Sequence, residues 1–339
     1  MRDLPDLIDA VQRNCDIADA RHAGEATLCT YLLRMREHFR WENELPLAAQ
    51  PRKEELSAWL TEREARWDAL AGEDFGPVPV GERDHDPFDA ESLNGELLGR
   101  GLVYGAGYAR FHRPSFFLAE IDRSETREGL RVLVAGCELA RDLEPAPAAL
   151  RGDTIFVRRD ALRRWLWERV EFWQSRRGEG ALARAVHAWG LDGNDEAAFE
   201  RAVNAETETV ILHELGEARA GRLLGPQWEA MLAGCEDRRA ELVARAVRDN
   251  LADCLVTLPA LVAREAHASI HFYFSHFDGL RRELFPALAA AYRQWHETAS
   301  ADALAEAAAS GAAHWERVAR GMLSASPCLE PSALALLGP

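Results

Sequence analysis

Between Leu97 and Val157 the apolar pattern of this chain changes period, and that change constrains the fold more than any other feature. Three runs, GLVYGAGYARF, PSFFLAEIDR and LRVLVAGCELA, are short, aromatic or β-branched, and separated by Gly, Pro and charged turns, the signature of strands. DTIFVRRDALRRWLWERVEFWQ adds a strand running into a helix with Leu162, Trp165, Leu166, Val170 and Trp173 on one face. On either side the period is helical. Upstream, Leu28, Tyr31, Leu32 and Met35 recur at helical spacing, as do Leu56, Leu60, Glu64 and Trp67. Downstream of Gly178, helices are predicted near 181–189, 195–221, 226–234, 237–265, 267–276, 280–296 and 300–323. Pro259, inside an apolar helical pattern, predicts a kink or break.

The expected class is therefore α+β, predominantly α, with a small antiparallel sheet in the middle and a helical C-terminal domain. The expected divisions are an N-terminal helical segment 1–75, a small α+β subdomain 76–178, a helical domain 179–325 and a Pro- and Ala-rich tail 326–339. The segment GPVPVGERDHDPFDAES, with Gly76, Pro77 and Pro79, is predicted to be a loop joining the first two.

A length of 339 residues with 47% hydrophobic residues suffices for a sizeable core. A formal net charge of −16 argues against a phosphate-binding surface, and so against a nucleic-acid partner, which requires clustered cations. The six cysteines are scattered, with no Cys-x-x-Cys pair, which reads as reduced thiols in a reducing compartment. The N-terminus has no apolar run of signal-peptide length. The most apolar segment, Leu251 to Ala263, has 13 residues, short of the roughly 20 that span a bilayer. A cytoplasmic protein without a membrane partner is expected.

The strongest chemical signal is Glu206-Thr-Glu-Thr-Val-Ile-Leu-His213-Glu214-Leu-Gly-Glu217. On a helix at about 100° per residue, Glu206, His213 and Glu217 fall within an arc of about 40°, with Glu214 to one side. One imidazole with carboxylates suits zinc, manganese or iron, and the apolar Val210, Ile211 and Leu212 imply burial, where carboxylates need a partner. Ion pairing with Arg219 or Arg222 would satisfy the same acids. A second signal is Asp249 and Asp253 on one face of an apolar run, with Arg245 and Arg248 nearby as alternative partners to a metal. A third is His267 and His271, four residues apart among aromatic residues that equally suit a packed helix; His187 could add an imidazole from a preceding helix. The mixed cluster of Cys15, Asp16, Asp19, Arg21, His22 and Cys29 matches no ligand pattern. Gly-x-Ser-x-Gly and Walker motifs are absent.

His213-Glu214-Leu-Gly-Glu217 resembles a zincin helix whose second histidine is glutamate; that resemblance implies His213 and Glu217 as ligands and Glu214 as the base. ILHELGEA and LADCL are similar to the central and later motifs of the HD phosphohydrolases, with Glu214 where that family has Asp, Asp253 as the later acid and His187 as the first histidine. Over most of the chain, RNCDIADARHAG, TLCTYLLRMREHFRWE, TIFVRRDALRR and ETVILHELGEARAG look like an uncharacterised bacterial family known only as a domain of unknown function.

The expected function is a metal-dependent hydrolase acting on a phosphoester or peptide substrate. The expected ligands are His213, Glu217, Asp253, Asp249, His187 and His271, with Glu214 as base, one divalent metal (Zn, Mn or Fe) as cofactor, and homo-oligomer formation compatible. The alternative is a non-catalytic interaction or regulatory protein that uses an acidic helix face.

Overall fold

The computed structural model describes residues 4–109, 112–193, 195–235 and 237–324. The fold is predominantly helical with a central sheet, and its described part divides into two compact units, meeting between Trp167 and Glu168. The tail expected at 326–339 lies outside the described residues.

In the first unit, helices α1 (Leu4–His22), α2 (Leu28–Glu42) and α3 (Lys53–Leu70) precede a short hairpin of β1 (Val78–Val80) and β2 (Arg83–His85), then α4 (Ala90–Leu97). The hairpin and α4 occupy the segment expected to be a loop. Gly81 supplies the positive φ (+60°) that a two-residue hairpin turn demands, and Asp89 caps α4 by accepting from Ser92 N–H. The main sheet follows: β3 (Leu102–Tyr108), β4 (Pro114–Arg127), β5 (Leu130–Arg141), β6 (Ala148–Arg151) and β7 (Thr154–Arg158), in the spatial order β3-β4-β5-β7-β6. Glu128 and Gly129, with φ of +52° and +81°, close β4 onto β5.

The sheet is mixed where an antiparallel one was expected, because β5 and β7 run parallel. The connection from Asp142 carries Pro145 and Pro147, which cannot donate to a ladder. It takes the chain past β5, and β6 turns back so that β7 fills the place between them.

Period-two alternation sorts the sheet faces. Leu102, Tyr104, Phe116 and Leu118 pack with Leu7, Val11, Cys15 and Ala18 of α1, while Val103, Phe117, Ala119, Leu133 and Phe156 pack on the other face. The apolar stripe of α1 has the sheet as its core. The mixed N-terminal cluster belongs to this framework. Cys15 Sγ donates to the Phe116 carbonyl (3.2 Å), Asp16 pairs with Arg63 (3.0 Å) and Arg66 (2.7 Å), and Asp19 pairs with Arg113 (2.8 Å) and accepts from the Leu143 N–H (2.8 Å).

Helix α5 (Arg159–Arg176) runs through the division. The second unit continues with α6 (Ala181–Trp189), α7 (Glu196–Leu224), α8 (Pro226–Ala233), α9 (Arg238–Ala252), a π turn (Asp253–Thr257), α10 (Leu258–Ala263), α11 (His267–His276), α12 (Gly279–Leu284), α13 (Pro286–Thr298) and α14 (Asp302–Ser324). Its core joins Trp228, Val247, Leu251, Leu258, Phe285 and Trp315. Two of the expected helices are interrupted, each at a proline. Pro286 ends α12 and opens α13 at a position where its missing N–H is harmless. Pro259 also lacks the N–H its helix would use, and the turn before it widens, so that Leu258 N–H donates to the Asp253 carbonyl, five residues back. Among the described residues, no helix is long and apolar enough to cross a membrane.

Candidate metal centre

Residues four apart stand above one another on a helix, so α7 presents His213 and Glu217 together. Facing them is α9 with Asp249, followed by the π turn that begins at Asp253. The two helices approach closely because residue 216 is glycine: a Cβ there would overlap the Ala252 carbonyl oxygen and lie 2.8 Å from its carbonyl carbon. Gly216 lies between His213 and Glu217, and Ala252 immediately precedes Asp253, so this close contact falls at the cluster itself.

His213 Nδ1 lies 2.7 Å from Asp253 Oδ1, and His213 Nε2 lies 3.6 Å from Glu217 Oε1. The other oxygen of Asp253 accepts from the Tyr273 hydroxyl at 2.9 Å and from Arg281. Burial opposes ionisation of Asp253, yet Arg281 and His213 hold its carboxyl well below the usual range. An ionised carboxylate only accepts, so Nδ1 of His213 carries the proton and Nε2 is the nitrogen turned toward Glu217. Burial would lower the His213 pKa, but the charges of Asp253 and Glu217 raise it well above its ordinary value.

Arg248 donates to that same oxygen, Glu217 Oε1 (2.6 Å), and to Asp249 Oδ1 (3.5 Å). Burial would raise the Glu217 carboxyl, but Arg248 and His213 bring it down to about 2. Burial and the adjacent Glu217 charge push Asp249 up, against the pull of Arg248. One ligand atom each from His213, Glu217 and Asp249 lies within 4.8 Å of the others, the one such group of three among the described residues.

Of the residues singled out from the sequence, the structure brings His213, Glu217 and Asp249 together. Asp253 stands behind His213, on its other ring nitrogen. Glu214 is buried and within electrostatic reach of Arg248, outside the group of three. His187 is exposed and pairs with Asp192 at 2.6 Å. His271 meets the Tyr292 hydroxyl at 2.9 Å and packs on Trp295. Sequence reasoning missed Gly216, Tyr273 and Arg281. Gly216 was legible in principle, as a glycine inside a strongly patterned helix. Tyr273 and Arg281 lie 20 and 28 residues beyond Asp253, with no local signal to connect them.

Glu206, expected on the same face of α7, is 2% exposed and lies apart from the group, with the Thr209 hydroxyl 3.5 Å away. Burial pushes its carboxyl up to about 8, against the hydrogen bonds from Ser269 and Thr209. A carboxyl raised in this way stabilises the fold below its unfolded value near 4.5, and that contribution is lost as pH rises through about 8. Glu206→Gln, which cannot ionise, is expected to exceed the parent in unfolding free energy by on the order of 4 kcal/mol near pH 8 and to come close to it near pH 4.5. Denaturant titrations at the two pH values measure the difference; equal stabilities near pH 8 would refute it.

The second unit is thus a helical domain in which one half-buried histidine and three buried or half-buried carboxylates converge. The chain belongs to the family of unknown function DUF6866, matching the model of its N-terminal domain over residues 6–158 and that of its C-terminal domain over residues 163–334. Neither a curated protein nor a solved structure matches it.

Proposed function

We propose that the C-terminal unit binds a divalent metal through His213 Nε2, Glu217 and Asp249 and that the protein is a metal-dependent hydrolase. The observation carrying this reading is the division of labour around His213. Asp253 holds the ring from Nδ1, so Nε2 is the nitrogen that would give up its proton in favour of a metal between two carboxylates. A carboxylate that accepts from the remote nitrogen of a ligand histidine is the usual support of a metal site, orienting the ring and raising its basicity. The donor set, one imidazole and two carboxylates, suits zinc, manganese or iron.

His213, Glu217 and Asp249 would hold the ion, which when bound would supply Lewis-acid activation of water for hydrolysis of an ester, phosphoester or amide. The chain's own residues hold that arrangement. Tyr273 and Arg281 keep Asp253 ionised, Asp253 keeps the proton on Nδ1, and Glu214 is the adjacent carboxylate assigned as base. Arg248 donates to both ligand carboxylates, and a cation beside the site favours an anionic substrate, which ranks phosphoesters ahead of peptides.

A second reading is favoured by one specific observation: Arg248 and Arg281 already pair with Glu217, Asp249 and Asp253. In that reading the network is structural and the protein acts through binding a partner. Elemental analysis of the chain purified without added metal or chelator separates the two. Near-stoichiometric zinc, manganese or iron, lost in His213→Ala and in Glu217→Gln, is the expected result. Absence of metal after reconstitution with each of the three ions would leave the structural reading standing.

A further inference from the structure

The second unit carries another concave feature, a cleft of about 450 Å³ lined by the end of α5, the start of α6 and parts of α11, α12 and α13. That volume is in the range of small-molecule sites. Its charged lining is Arg169, Arg176, Arg282 and Arg293 against a single carboxylate, Glu179. The chain as a whole has 56 acidic and 40 basic residues, so four arginines around one cleft run against its overall balance. Among the described residues none of the four is in an ion pair with a carboxylate, whereas Arg248 and Arg281, a short way along the same unit, are both paired. Like charges gathered around a concavity repel one another unless an anion is held there, and such a cleft concentrates anions of matching charge.

The rest of the lining is aromatic. Phe274 and Tyr292 are stacked with ring centroids 4.1 Å apart, and the Arg176 guanidinium lies 4.7 Å above the Phe172 ring. Phe172 is 50% exposed, a large apolar side chain left open at the cleft. Two polar atoms of lining residues, Arg169 Nε and Ser275 Oγ, are buried without a hydrogen-bond partner among the described residues. Helix α11 serves both sites: Tyr273 touches Asp253, and the next two residues line the cleft.

We infer that this cleft binds a small aromatic dianion, with the ring against Phe172 and the Phe274–Tyr292 stack and the charge held by the arginines. The four guanidinium groups less Glu179 leave an excess of three positive charges by formal count. A dianion offsets more of that excess than a monocarboxylate, and the planar forks of arginine match the oxygens of a phosphate ester or a dicarboxylate.

The test is calorimetric titration of the full chain, in chelator so that the metal cluster takes no part, with phenyl phosphate and phthalate as probes. Inorganic phosphate and benzyl alcohol each supply one half of the chemistry. One aromatic dianion per chain is expected, bound at least about tenfold more tightly than either half. The Arg282→Ala/Arg293→Ala double variant should weaken it at least about tenfold, since a hydrogen bond to a charged group contributes that much. Both residues are exposed, so the variant is expected to keep the fold, and Arg239→Ala, exposed and away from the cleft, should leave binding unchanged. Tighter binding of phenyl phosphate would identify an aromatic phosphate ester as the ligand class, and tighter binding of phthalate a dicarboxylate. Failure of both probes to bind saturably, or binding indifferent to the double variant, would overturn the inference.

Discussion

Replacing Asp253 by Ala is expected to lower the unfolding free energy near neutral pH by about 3–5 kcal/mol, the range for breaking a buried ion pair from one side. Asp253 is 1% exposed and receives His213, Tyr273 and Arg281 at once. Its loss leaves a guanidinium and an imidazolium facing each other with no counter-charge between them. The effect has a pH signature. The folded-state pKa of Asp253 is depressed, so its contribution is present above the ordinary carboxyl value near 3.8 and is lost as pH falls through the lower folded value. The gap between parent and variant should therefore close in strong acid. Asp253→Asn keeps the shape and one acceptor, and should lose less. Denaturant unfolding of the three proteins measures this, and a loss under about 1 kcal/mol for Ala would show that the network holds little of the fold.

The second large effect concerns Gly216, where Val should cost about 3 kcal/mol, at the upper end for overpacking a tight core. The clash would be with the backbone of Ala252, which cannot move aside as a flexible side chain would. The two helices must separate, which pulls His213 and Glu217 away from Asp249 and Asp253. Destabilisation and loss of metal binding should therefore appear together. At Gly221, five residues further along α7, a Cβ would meet nothing within 4 Å, so Gly221→Ala should retain both properties. If Gly216→Val bound metal as the parent does, the close approach of α7 and α9 would not be what assembles the site.

These effects show where the sequence was legible. The strand runs after Leu97 were readable because alternation of Val103 with Leu102 and Tyr104, and of Phe117 with Phe116 and Leu118, reports two covered faces of a sheet. The short β6 was not, since Ala148–Arg151 has neither alternation nor β-branched residues, and its place at the edge next to β7 is fixed by the return of the chain after Pro147. The hairpin of β1 and β2 was hidden because Pro79 and a run of charges read as a loop, while three residues per strand leave no period to detect.

At the site, spacing alone put His213 with Glu217 and Asp249 with Asp253. It could not decide which aspartate would face the imidazole's outer nitrogen and which would stand behind the ring. That depends on the π turn starting at Asp253, and the π turn depends on a proline six residues further on. Arg281 comes from another helix altogether. Its contact with Asp253 is a product of packing, which local pattern does not encode.

The most direct measurement of the central claim is X-ray absorption at the zinc edge of the zinc-loaded chain, beside the zinc-treated His213→Ala and Asp253→Asn variants. The account predicts stoichiometric zinc in the parent, with a single imidazole nitrogen and carboxylate or water oxygens at about 2.0–2.2 Å. It predicts no ordered zinc in His213→Ala, and in Asp253→Asn weaker binding with the same ligand set, as expected for loss of the group behind the ring. A zinc shell with two or more imidazoles, or one unchanged in His213→Ala, would contradict the assignment of His213, Glu217 and Asp249 as the metal centre.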